Sequence, residues 1–134
     1  MSRTKEEAVS GFAVKSIDEL ASIHDGVVKL AGSELDVESF GLQVLDFPPG
    51  FEHYPEHDHS EDGQEEVYVV LRGSAGCQVG GEQVELGSGE MLRVSAGTMR
   101  KLLPGPDGVR LLAIGCVPGG AYERPADFQV AARS

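Results

Sequence analysis

The sequence predicts an all-β protein: an antiparallel jelly-roll barrel or sandwich with one short N-terminal helix. Three observations carry this. Short apolar runs recur at near-regular spacing, each bounded by Gly, Pro or Asp-Gly signals. Glycine is abundant, 18 in 134 residues, as a chain with many turns requires. No strand pattern alternates with longer helical patterns, which argues against βαβ units and a parallel sheet. A chain of this length holds one domain with a real core. That domain is read as residues 11–120, between a flexible N-terminal tail over 1–10 and a C-terminal tail over 121–134.

The elements follow in order. Gly11–Val14 reads as a first strand. Ser16-Ile17-Asp18-Glu19 has the S-x-x-E pattern of a capping box, and Gly26 stands a few positions on, so a short helix is expected over 17–24. His24 falls in its last turn, where a structural role beside the helix dipole is expected. Val27–Leu30 and Leu42–Phe47 read as strands, the second alternating until Pro48-Pro49-Gly50 breaks the ladder. The run from Glu66 to Leu71 is apolar on both faces, as in the middle of a sandwich or at a subunit interface, with Gly73 and Gly76 bending or ending it. Gly80-Gly81 between Cys77–Val79 and Glu82–Leu86 is a two-residue hairpin signal. Gly87-Ser88-Gly89 is a second turn, Glu90–Val94 another strand, and Ala96-Gly97 another break. Pro104–Gly108, between Lys101–Leu103 and Val109–Val117, reads as a third hairpin. Beyond Gly120 periodicity is lost, and Tyr122 is the expected anchor of a tail laid over the surface.

The formal net charge of -11 and a pI near 4.6 argue against nucleic acid or an anionic membrane as partner, since phosphate binding needs a basic surface. No apolar run approaches the roughly 20 residues of a membrane span. The polar N-terminus carries no apolar signal segment, and a cytoplasmic protein is expected. Cys77 and Cys116 lack metal-type spacing and read as buried small hydrophobes; Met91 and Met99 read as packing residues.

The stretch from Gly50 to Gly73 carries the chemistry. His57 and His59 are two apart, and in an extended chain such residues face the same way. Asp62-Gly63 suits a tight turn, after which Glu66 can return beside the imidazoles if the two strands pair antiparallel. Two imidazoles and a carboxylate make a divalent-metal site suited to Fe, Mn, Ni or Zn. Gln64 shares the parity of Glu66 and is a candidate to ligate or to orient a ligand. His53 shares the parity of His57, but Pro55 intervenes, which suits an outer supporting role. Tyr68 lies on the Glu66 face, either with its hydroxyl in a cavity or as a core aromatic. Glu65 points outward. The plain alternative is that both histidines simply hydrogen-bond Glu66 and nearby acids in a metal-free barrel.

These residues resemble the cupin superfamily, over roughly residues 40–117. Its first motif is G-x5-H-x-H-x3-4-E-x6-G, matched by Gly50, His57, His59, Glu66 and Gly73, with the first gap one residue longer and the His-to-Glu gap two longer. Its second motif is G-x5-P-x-G-x2-H-x3-N. Gly89 and Gly97 match; Ser95 replaces the proline, Arg100 the fourth ligand and Pro104 the closing asparagine. EEVYVVLRG followed by GEMLRVSAGTMR is similar to single-domain bacterial cupins.

The resemblance implies a metal ion that polarises a substrate oxygen, or binds dioxygen if it is iron. Arg100 departs most informatively, because a guanidinium stays charged and cannot ligate. Facing inward, it would hold a substrate carboxylate or enolate oxygen, or pair with Glu66; facing outward, it would pair with a surface acid. Tyr68 and Arg100 are thus the candidate catalytic residues. Two function classes stand: a metal-dependent enzyme such as a dioxygenase or isomerase acting on a small oxygen-rich or anionic molecule, and a non-catalytic small-molecule-binding module. The resemblance also implies a homodimer.

Overall fold

In the computed structural model, residues 11–131 are described. The expected tail over 1–10 and the last three residues lie outside them. Among the described residues the fold is a jelly-roll barrel built from a seven-stranded antiparallel sheet. Strands β1 (Ser22–Ile23), β2 (Val28–Lys29) and β3 (Gly41–Phe47) form one flank. Strands β4 (Glu65–Val79), β5 (Glu82–Gly87), β6 (Met91–Val94) and β7 (Arg100–Cys116) form the rest. The spatial order is β1-β2-β3-β7-β4-β5, with β6 also on β4.

The long β4–β7 pair is the frame. Its first half sets Glu65–Gly73 against Cys116–Val109; its second half sets Ala75–Val79 against Pro104–Arg100. β4 therefore runs past Gly73 and Gly76 instead of ending there. Pro104–Gly108 is not a hairpin either: residues 105–108 bulge opposite Ser74, and the pairing resumes with the same partner. The bend needs glycine. Gly73 has φ 80°, and a Cβ there would lie 2.2 Å from the Gly108 carbonyl oxygen.

Gly80-Gly81 closes the β4–β5 hairpin as expected, with φ 57° and 85°, the positive pair of a type I′ turn. The N-terminal expectations fare worse. Only Phe12 of Gly11–Val14 makes a bridge. The helix over 17–24 is a 3₁₀ turn, Ile17–Glu19, and Ser16 makes no side-chain cap. Beyond it the chain enters β1, then a turn in which His24, Asp25 and Gly26 all have positive φ. Backbone pairing of Ser22–Ile23 with β2 has displaced the local helical preference. A one-turn helix instead follows β2, α1 (Ala31–Glu34).

Alternation along β4 buries Glu66, Tyr68 and Val70, while Val67 and Val69 are half-buried and Leu71 is 40% exposed. The strand is thus less two-sided than its composition suggests. The core joins Tyr68 and Val70 to Leu45, Phe47, Cys77, Leu102 and Leu111. Cys77 is buried and Cys116 half-buried, both as free thiols. Met91 and Met99 are exposed, not packed, because the described chain lays nothing over the outer face there. The C-terminal segment is more than a surface tail. Phe128 and Val130 pack against the core, and the Arg124 guanidinium donates to the carbonyls of Gly32 and Val37. No helix among the described residues is long and apolar enough to cross a membrane.

Candidate metal centre

The histidine segment does not pair with β4. His57 exchanges backbone hydrogen bonds with Arg100 at the start of β7, and the His59 amide donates to the Ala96 carbonyl. Two-residue periodicity holds all the same. Both rings turn inward, centroids 5.1 Å apart and nearly perpendicular. They meet Glu66, carried in by the inner face of β4. Atoms of His57, His59 and Glu66 that can bind metal all lie within 4.8 Å of one another.

The imidazoles are held by their far nitrogens. His57 Nδ1 lies 2.9 Å from the Pro55 carbonyl oxygen, which can only accept, so this nitrogen carries the proton. His59 Nδ1 faces the Asp62 carboxylate at 3.1 Å to each oxygen. Both Nε2 atoms then point at Glu66 Oε1, at 3.7 Å from His57 and 3.1 Å from His59. Tying down Nδ1 while Nε2 converges on a carboxylate is how histidines are oriented for a metal. The donor set and its orientation fit a divalent transition ion.

Oxygen Oε1 is addressed from behind as well. The Tyr68 hydroxyl donates to it at 2.5 Å, and Arg100 Nη2 lies 3.9 Å away. Both side chains are fully buried, and neither lies on the cavity wall. Tyr68 is therefore a buried support for Glu66, not a cavity hydroxyl. Arg100 faces inward; Nη2 also donates to the Ser95 carbonyl, while Nε and Nη1 have no hydrogen-bond partner among the described residues.

Burial would push the Glu66 carboxyl up, but the close approach of His57, the Tyr68 hydrogen bond and the charges of His59 and Arg100 outweigh it, and the group is held below its usual range. The Glu66 carboxylate beside it raises His57 against the opposing effect of burial. Burial, then the Glu66 charge, drive the Tyr68 and Tyr54 hydroxyls upward, so both stay protonated donors.

Gln64 lines the cavity but turns its amide to Asp62, donating from Nε2 at 3.2 Å and from the backbone at 3.1 Å. It thereby steadies the carboxylate that steadies His59. Gly115 makes room: a Cβ there would stand 2.8 Å from Gln64 Oε1 and 3.2 Å from Glu66 Cγ. His53 is on the wall, edge-on to Phe51, and Glu65 points outward to Arg93 at 2.6 Å.

Sequence reasoning missed several residues. Tyr54 stands T-shaped to His57 at 5.8 Å, and Lys101 Nζ donates to the carbonyls of Glu52 and Tyr54 at 2.6 and 2.5 Å, fixing the segment that carries His57. Asp62 was read as a turn residue, yet an acid three positions after a ligand histidine was a usable signal. His24, expected in a helix, reaches the cavity from the β1–β2 turn.

A model of the Cupin domain family matches residues 43–115, which spans both histidines, Glu66 and Arg100. The chain belongs to the cupin family. Solved cupins share its fold. A cupin protein from Bacteroides fragilis is 22% identical, with a TM-score of 0.64 over 92% of this chain and 98% of that one. A sugar phosphate isomerase from Silicibacter pomeroyi is 19% identical, with a TM-score of 0.59 over 66% and 57%. A predicted oxalate decarboxylase from Thermotoga maritima is 22% identical, with a TM-score of 0.53 over 58% and 66%. At such identities the likeness speaks for the fold alone. No curated protein sequence matches the chain.

Proposed function

We propose that this cupin binds one divalent transition-metal ion through His57, His59 and Glu66 and a small oxygen-bearing molecule in the cavity above it, as a metal-dependent enzyme of the dioxygenase or isomerase kind. The observation that carries this reading is the convergence of two Nε2 atoms on one carboxylate oxygen, with both Nδ1 atoms already engaged. When bound, the ion supplies positive charge that polarises a ligand oxygen. The chain's own groups do the rest. Tyr68 and Arg100 keep Glu66 ionised and pointed, and Gln64 and Asp62 fix the His59 ring.

A second reading has one specific support. Arg100 sets a permanent buried cation near Glu66 where the family motif has a fourth ligand, so the carboxylate has a countercharge without metal. A non-catalytic binding module would have that property. Elemental analysis of protein purified without added metal separates the two. A stoichiometric transition metal supports the first; metal-free protein that also resists reloading supports the second. We also propose a homodimer, its contact on the outer face where Leu71 and Met91 are exposed, with light scattering as the check.

A further inference from the structure

A cavity of about 630 Å³ opens over the metal centre, within the usual range for small-molecule sites. Its wall has an unusual composition. All four histidines of the chain line it. Its charged side chains are carboxylates, Asp25, Asp62 and Glu66; among the described residues no lysine or arginine reaches it. Two nearby cations do not reach it. Arg100 is sealed behind Glu66, and the Lys101 ammonium is turned into the carbonyls of Glu52 and Tyr54. A phosphorylated or polycarboxylate ligand would thus meet acids and find no exposed cation to pair with.

The rest of the wall, apart from Gln43 and Gln64, is mainly apolar. Phe51, Tyr54, Tyr122 and Phe128 contribute rings, with Pro55 and Pro125 between them. Two of these rings, Phe51 and Tyr54, pack on the buried Phe47 behind the wall, and Tyr54 also meets His57. Phe51 lies 5.2 Å from Phe47, Phe47 5.1 Å from Tyr54, and Tyr54 5.8 Å from His57. Such faces and edges favour a planar π system.

We infer that the cavity takes a planar aromatic molecule with adjacent hydroxyl or enol oxygens, its ring among Phe51, Tyr54 and Phe128 and its oxygens toward His57, His59 and Glu66. This rests on the metal reading above and narrows its ligand class: the ion, not an arginine, receives the oxygens.

The test compares catechol with oxalate, two oxygen chelators that differ in the ring, on protein loaded with Co²⁺ and followed by the visible spectrum. Catechol should bind at least about 10-fold more tightly than oxalate, a difference of about 1.4 kcal/mol. Phe51→Leu and Phe128→Leu keep bulk and apolarity while removing the ring. Each should weaken catechol about 5-fold and leave oxalate and Co²⁺ affinity unchanged, in line with the worth of a single aromatic contact. Equal or tighter oxalate binding, or catechol binding indifferent to both variants, overturns the aromatic assignment while the metal site stands. Failure to take up Co²⁺ overturns the metal reading instead. The wall is then tested on the metal-free protein by ligand-observed NMR, where the same order of catechol over oxalate is expected and its absence overturns the assignment.

Discussion

Glu66 has two sides, and they are built differently. On the cavity side stand His57 and His59, partly exposed, each held through its outer nitrogen. On the inner side stand Tyr68 and Arg100, fully buried on the paired strands β4 and β7. One oxygen, Oε1, serves both. The exposed side sits on a loop and can exchange a proton for a metal ion. The buried side lies in the sheet and cannot be rearranged without disturbing the core. The carboxylate is therefore pre-charged and pre-aimed by the fold before any ligand arrives.

Breaking the shared oxygen should have the largest effect. Glu66→Gln removes the negative ligand and strands the Arg100 guanidinium, whose other contact is a single 3.3 Å bond to Ser95. Metal binding should be lost, and urea unfolding should register a loss of about 3 kcal/mol, as for a broken buried ion pair. Acid should act next, and only through the exposed side. His57 is raised by the neighbouring Glu66 carboxylate, so protons compete for Nε2 at a higher pH than for a free histidine. Metal affinity should be full above that raised value and fall as pH drops through it, followed in a calorimetric pH series. Glu66, held low, stays ionised over that window.

Smaller effects separate the two sides further. Tyr68→Phe deletes the 2.5 Å bond to Oε1. It should cost about 1.5–3 kcal/mol of stability, as for hydrogen bonds to charged groups, and about 10-fold in metal affinity. Asp62→Ala, on the exposed side, should lower metal affinity about 10-fold with little change in unfolding, since it acts by orienting His59. Lys101→Met frees the carbonyls of Glu52 and Tyr54. It should weaken metal only about 3-fold while clearly speeding amide exchange over residues 52–57.

The same contrast explains how much the sequence disclosed. The buried side was readable because strand alternation is local: Glu66 and Tyr68 share parity, and both face in. The direction of Arg100 stayed open in the sequence, although the same rule agrees with its inward turn, since Leu102, two residues on, is a core residue. The exposed side was readable only as a constellation. His57 and His59 do converge with Glu66, but through pairing with Ala96 in the β6–β7 turn and Arg100 at its end, a long-range choice no periodicity encodes. Pro104–Gly108 misled because its turn chemistry is real while its partner is distant: β4 continues opposite both flanks. The Ser16 capping pattern misled for the same reason. The cavity wall was least legible of all. Phe128 and Tyr122 reach it from a stretch without periodicity, and His24 from a left-handed turn.

The measurement that tests the central claim most directly is a calorimetric titration of Co²⁺ into chelator-stripped protein, run beside His57→Ala and Glu66→Gln. Saturation at one ion per chain in the native protein, with no binding heat in either variant, is the predicted result. Binding that persists undiminished in both variants, or no binding to the native protein, would contradict it.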